Sequence, residues 1–299
     1  MEAPTTSAAS QKLSAQMWIA STRLRPAGGF EEERTGHVSA PPALHLQLPV
    51  PVPIAISLAG LDRNVKAPWG AGARAAINWA GATGWRAITL DATAPDTRPR
   101  ALDSSARRDL AAALRRAELA FAGLDLWIPA EHFTRPDAID RAIAAATSAC
   151  DLAAALHTLA GAPPGGGAVN LTLPAEAPEA RAALGAAAHR CGVRIADTTW
   201  PPAPDLDEAL SLGLDPAAIL LAGADPIQAA AQHGATCASA RLTDLAPIGR
   251  VAPGAGRLDV DAYLITLDVA GFNGHAVLDL RGVPDQARAA ATVSGRFTT

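Results

Sequence analysis

Between Pro53 and Phe297 the chain repeats one pattern eight times, a short β-type apolar run followed by a segment with helical periodicity. The β-type runs are PIAISLAG, WRAITLDA, LAFAGLDLWIP, AVNLTLP, VRIADTT, PAAILLAG, TCASARLTD and HAVLDLRG. Among the helical segments, AGARAAINWAGATG stops at Gly84, SSARRDLAAALRRA begins with a Ser cap, and APEARAALGAAAHRCG closes at Gly192. DLDEALSLG reads as a short helix ahead of PAAILLAG. Strict alternation of β and α units predicts a parallel sheet covered by helices. Strands buried on both faces explain why the runs are almost continuously apolar. Eight units over about 250 residues match the size of a closed (β/α)8 barrel. An open doubly wound sheet would call for a Gly-rich dinucleotide turn after its first strand, and SLAGLDRN is not GxGxxG. The expected fold class is α/β, a closed barrel over residues 49–299.

Residues 1–48 break the pattern. They are rich in Ser, Thr, Ala, Pro and Gly, carry the charged run EEER, and show no sustained period. A poorly structured N-terminal arm is expected there, with Trp18 able to pin it to the barrel or a later start codon removing it. The formal charge is -4 and the pI about 6.0, which does not suggest a nucleic-acid binder. Lys12 and Lys66 are the only lysines, so arginine carries the positive charge. Cys150, Cys191 and Cys237 have neither zinc spacing nor an even count, which points to a reduced, cytoplasmic compartment. No secretory leader is evident, and LHLQLPVPVPIAISLAGL is too short and proline-interrupted to span a bilayer. A soluble protein with no membrane partner is expected.

In a barrel of this kind the active site lies at the C-terminal ends of the strands. The polar residues at those exits are therefore the candidates. Asp91 ends the second run, and Glu131 with His132 follows the third. Asp197 and Thr198 end the fifth, and Asp215 immediately precedes the sixth. The seventh delivers Arg241 and Asp244, and the eighth Asp279 and Arg281. Helix capping or loop hydrogen bonding accounts equally well for Asp91, Asp197 and Asp244. Asp279 sits inside AVLDLRG between apolar neighbours, where a carboxylate needs a partner or takes up a proton. His132 reads more readily as a loop residue than as a catalyst. His157, His189 and His233 fall on helices, and His275 lies at the opposite end of the barrel.

The order GVRIADTT, GLDPAAILLAGADP, SARLTD, GHAVLDLRG resembles the xylose isomerase-like TIM barrels of the sugar phosphate isomerase/epimerase superfamily. WRAITLDA and DLWIPAEHFTRPDAIDRAIAAA are similar to the same group, so the resemblance runs from about residue 53 to the end. It implies one divalent metal (Mn, Mg, Co or Zn) held by Glu, Asp, His and Glu on strands five to eight, with the two Glu residues shuttling protons. A carboxylate base beside a carbonyl and a cation on the enediolate would perform that chemistry. The set is only partly kept. The first Glu falls on Thr198, or on Asp197 if the register slips by one. Asp215 matches the Asp, and Ala218 stands where a histidine often follows. Arg241 replaces the His, Asp244 matches the following Asp, and Asp279 replaces the last Glu. A guanidinium cannot ligate a metal.

Two expectations follow. In one, Arg241 takes the place of the cation by pairing with Asp215 and Asp279, so that no cofactor is expected. Two unit charges about 4 Å apart attract by about 4 kcal/mol at an effective dielectric of 20, before desolvation. In the other, Arg241 turns outward onto Asp244. Any retained metal would use Asp197, Asp215 and Asp279. The implied function is a sugar or sugar-phosphate isomerase or epimerase with an altered metal site. Asp279, Asp215 and Arg241 would be catalytic, and His132, Glu131, Asp91, Asp244 and Arg281 would hold a small polyol or sugar phosphate. The alternative is a non-catalytic barrel that binds a polyol, an acid or a protein partner. An apurinic endonuclease would need a richer His/Glu cluster and a basic rim.

Overall fold

The computed structural model describes residues 52–63, 66–160 and 167–297; the arm expected over residues 1–48 lies outside them. Eight parallel strands close into a barrel in the order β1 (Ile54–Ser57), β2 (Ala87–Asp91), β3 (Ala120–Asp125), β4 (Ala168–Leu171), β5 (Ile195–Asp197), β6 (Leu210–Leu214), β7 (Ser239–Leu242) and β10 (Ala276–Leu278), which pairs back onto β1. The helices are α1 (Ala73–Ala82), α2 (Ser104–Arg116), α3 (Ile139–Ala160), α4 (Pro178–Cys191), α5 (Pro216–Leu221), α6 (Pro226–His233), α7 (Val260–Val269) and α8 (Gln286–Phe297); one follows each barrel strand except β5, which leads straight to β6, and β6, which is followed by both α5 and α6. A hairpin of β8 (Asp244–Ala246) and β9 (Gly249–Val251), not foreseen in the sequence, stands beyond β7.

The main core lies between strands and helices. Ile56, Ile88, Leu90, Leu124, Val169, Leu212 and Leu278 face outward into it. The inward residues are small. Ala55, Ala87 and Val277 form one cluster, and Ala168, Ala196 and Ala238 another. Above them, along the same faces, come Ser57, Thr89, Asp125 and Asn170, all buried.

Two sequence assignments are corrected. DLDEALSLG supplies strand β6, and PAAILLAG is helix α5. Short apolar runs do not declare their period, and Asp-Pro settles this one. Asp215 accepts from Ala217 N at 3.1 Å as the cap, and Pro216 opens the helix with no N–H to lose. Asp215 therefore exits β6 at the mouth. The cap of α2 is Asp103, which accepts from Ala106 N at 2.8 Å, with Ser104 already inside the helix.

Strand β3 carries a bulge. Ile88 pairs with Phe121 and Thr89 with Gly123, so Ala122 is extra. Gly123 has φ +147°, and a Cβ there would run into the carbonyl oxygen of Ala168. The inserted residue resets the alternation and turns Asp125 into the barrel.

Candidate functional site

The centre of the barrel is an ion pair between Arg241 and Asp125, a residue not among the strand-exit candidates. Arg241 is fully buried and donates from both terminal nitrogens to Asp125, through Nη1 at 3.3 Å and through a shorter contact from Nη2. Asp125 also accepts from Ser57 Oγ at 2.5 Å and Thr89 Oγ1 at 2.6 Å. Burial opposes the charge of Arg241. Asp125, then Asp279 and Asp215, outweigh it and hold the guanidinium above its ordinary pKa. Arg241 thus pairs directly with Asp125, neither with Asp215 and Asp279 nor outward with Asp244.

A second tier lies at the mouth. Asp215 accepts from Thr243 Oγ1 at 2.6 Å and from Arg250 Nη2 at 2.5 Å. Arg250 comes from the β8–β9 hairpin and places Nη1 3.7 Å from Asp279 Oδ2. Asp279 follows β10 directly, and Arg281 grips it through Nε at 3.0 Å to both oxygens and through Nη2 at 2.6 Å. The Arg281 guanidinium lies 3.3 Å from the centroid of Trp127, and Arg241 lies 5.2 Å from the same ring. The stem of Arg281 crosses Gly60, where a Cβ would collide with its Cγ. The Asp279 carboxylate is fully buried and that of Asp215 nearly so, whereas Arg250 and Arg281 are 26% and 25% exposed. Of these ion pairs, the arginine side chains rather than the carboxylates reach solvent.

Burial pushes the Asp279 pKa upward, but Arg281, with Arg241 and Arg250 behind it, more than reverses this and leaves it below the usual carboxylate value. A depressed folded-state pKa gives stability that is present above the unfolded value, about 3.9, and is lost as pH falls through the folded value. Asp279→Asn is therefore expected to flatten the acid limb of stability. Urea unfolding from about pH 6 down to pH 2.5 measures it. Parallel acid limbs for the variant and the parent would refute the assignment.

The remaining candidates are placed as follows. Asp91 ends β2 and accepts from Thr93 N at 2.8 Å and Arg63 Nη2 at 3.1 Å. Asp244 is buried and receives the backbone N–H groups of Leu245, Gly254, Gly256, Arg257 and Leu258, which commits it to shaping the hairpin and the loop after it. Glu131 and His132 sit on a short turn after β3, and their side chains make no hydrogen bond or ion pair among the described residues.

Asp197 belongs elsewhere. It accepts from Leu173 N and Thr199 N, and Arg181 of α4 reaches its Oδ2 at 2.7 Å. Thr198, the next residue, pairs instead with Thr172 Oγ1 at 2.8 Å. The ligand set Asp197, Asp215 and Asp279 is therefore not assembled. Among the described residues, no group of three or more His, Cys, Asp or Glu side chains could hold a metal ion. The donors do not fit a divalent cation, because guanidinium groups engage Asp215 and Asp279 and a third stands between them and Asp125. Burial also pushes the Cys150 and Cys237 thiols up to about 12, which removes them as nucleophiles.

Trp127 and Arg250 escaped the sequence reading along with Asp125. Trp127 follows Asp125 by two residues in DLW and had a findable signal, an aromatic residue just past a strand exit. Arg250 had none, since its loop gave no sign of doubling back over the mouth.

No family model matches the chain, and no curated protein matches it. Similar solved structures include a xylose isomerase domain protein from Planctomyces limnophilus, with TM-score 0.60 and 19% identity over 82% of this chain and 96% of that one. Another is a xylose isomerase-like TIM barrel protein from Mycobacterium smegmatis in complex with magnesium, with TM-score 0.60 and 15% identity over 83% and 95%. A third is a sugar phosphate isomerase/epimerase from Parabacteroides distasonis, with TM-score 0.55 and 12% identity over 82% and 94%. The chain therefore has the fold of the xylose isomerase-like TIM barrels.

Proposed function

We propose that the barrel binds a small polyhydroxylated anion, a sugar phosphate or sugar acid, at its C-terminal mouth without a divalent metal. One observation carries this reading. The carboxylates of the mouth are buried beneath guanidinium partners, the Arg250 and Arg281 side chains stay about a quarter exposed, and Arg281 lies on the face of Trp127. Guanidinium forks match phosphate and carboxylate oxygens, and an aromatic face suits the apolar side of a sugar ring.

The same geometry bears on turnover. A base that removes a proton beside a carbonyl works best with a pKa near the operating pH. Asp279 is held the other way, with both oxygens occupied by Arg281. Binding without the metal-assisted proton transfer of the isomerases is therefore the reading supported best. The exposure of Arg281 favours a second one, a metal-free isomerase or epimerase in which a substrate anion draws Arg281 away and frees Asp279 as the base.

Elemental analysis and thermal-shift titration of the purified protein test the proposal. A sugar phosphate is expected to raise the unfolding midpoint and the unphosphorylated sugar is not. Arg281→Ala is expected to abolish the effect, and Mn, Mg, Co and Zn to leave the midpoint unchanged. Stoichiometric bound metal would overturn the metal-free site. Deuterium incorporation from heavy water into a bound ketose phosphate would select the second reading.

A further inference from the structure

The opposite end of the barrel holds a cavity of about 740 Å³. It exists because the inward residues there are small. Ala120, Ala122, Ala168, Ala238 and Ser239 line it, where bulky branched side chains usually fill such a barrel. Its size falls within the range of small-molecule sites. Phe121, Phe272, Val193 and Val277 supply the apolar part of a mixed wall.

Three polar features stand in that wall. His157, in the last turn of α3, is 8% exposed, and neither of its buried ring nitrogens has a hydrogen-bond partner among the described residues. Leaving such a group unmatched is destabilising. Arg194 precedes β5 on the same side as the inward Ala196. Its one hydrogen bond is long, Nη1 to Cys237 O at 3.5 Å, and it has no carboxylate partner among the described residues. His275 precedes β10, on the side of the inward Val277. Burial lowers the pKa of His157 and of His275, so both imidazoles are neutral at pH 7 and each offers one donor and one acceptor. The other ionisable groups on the lining, His189 and Glu208, are exposed.

From these residues we infer that the N-terminal end of the barrel is a second binding site, for a small monocarboxylate with an apolar body. A single fixed guanidinium matches one carboxylate through its fork. It would leave a phosphate dianion only half compensated, with Glu208 nearby. Neutral His275 adds a hydrogen-bonding group on the lining, and the alanine and phenylalanine walls take a ring or a branched chain. The site is independent of the mouth, which lies at the other ends of the same strands.

Calorimetric titration of the full chain with benzoate, and with benzamide as its neutral counterpart, tests the inference. Benzoate is expected to bind with a Kd of about 1 mM or tighter. Benzamide should bind at least about tenfold more weakly, and Arg194→Gln should cost benzoate a similar factor. Ala120→Phe, at an exposed position on the lining, narrows the cavity without touching a charge and is expected to abolish binding. It carries the test if Arg194→Gln fails to fold. Arg281→Ala, altered at the opposite end, should bind benzoate as the parent does. Equal affinity for benzoate and benzamide, unchanged binding in Ala120→Phe, or loss of binding in Arg281→Ala would each overturn the site.

Discussion

Arg241→Met is expected to destabilise the protein by about 3–5 kcal/mol, the range for removing one partner of a buried ion pair. The loss comes less from attraction forgone than from what remains. Asp125 would keep its hydroxyl donors Ser57 and Thr89 but lose its counter-charge in a place without solvent. The double variant Arg241→Met with Asp125→Leu removes both charges. It is expected to be more stable than Arg241→Met alone, since apolar replacements of a buried pair are often neutral. Ser57 and Thr89 would then lose their acceptor, at about 1 kcal/mol each. Urea unfolding of the parent, the two singles and the double closes the cycle. Additive losses would show that Arg241 and Asp125 are not coupled as the structure has them.

The second large effect is expected from Gly123→Ala, at about 3 kcal/mol or more. The change adds one methyl group. That methyl meets the backbone of β4, which cannot swing aside as a side chain does, and the φ of +147° is one that L-residues rarely adopt. Relief would require the bulge to move, and moving it rotates Asp125 away from Arg241. The variant should therefore show a lower urea midpoint and a changed near-ultraviolet signal from Trp127, which stacks on that network. A loss below about 1 kcal/mol would mean that the bulge is not needed.

The bulge also explains what could be read in the chain and what could not. The alternation of apolar runs and helices was legible because each strand is buried on both faces, and it led directly to the barrel. Asp279 and Arg281 were legible as mouth residues because they leave the last strand two residues apart, but the sequence pointed Asp279 at Arg241 rather than at Arg281. Asp125 was not. Alternation counted from the outward Phe121 sends residue 125 to the helix side, and only the extra Ala122 reverses that count. Asp197 failed for the complementary reason. It ends a regular strand facing outward, where Arg181 had no visible link to it in the sequence. Asp215 was recognised, but reading α5 as a strand would have set it at the wrong end.

The pairing of β1 with β10 carries a consequence for synthesis. Ile54 meets Ala276, so the first staple of the ring is completed by residues translated more than two hundred positions later. Until β10 has been made, β1 and β7 each present an open row of amide and carbonyl groups to any passing strand. A chain that has reached β7 but not yet Ala276 is therefore an adhesive open sheet, and β10 is the stave that takes both edges out of reach.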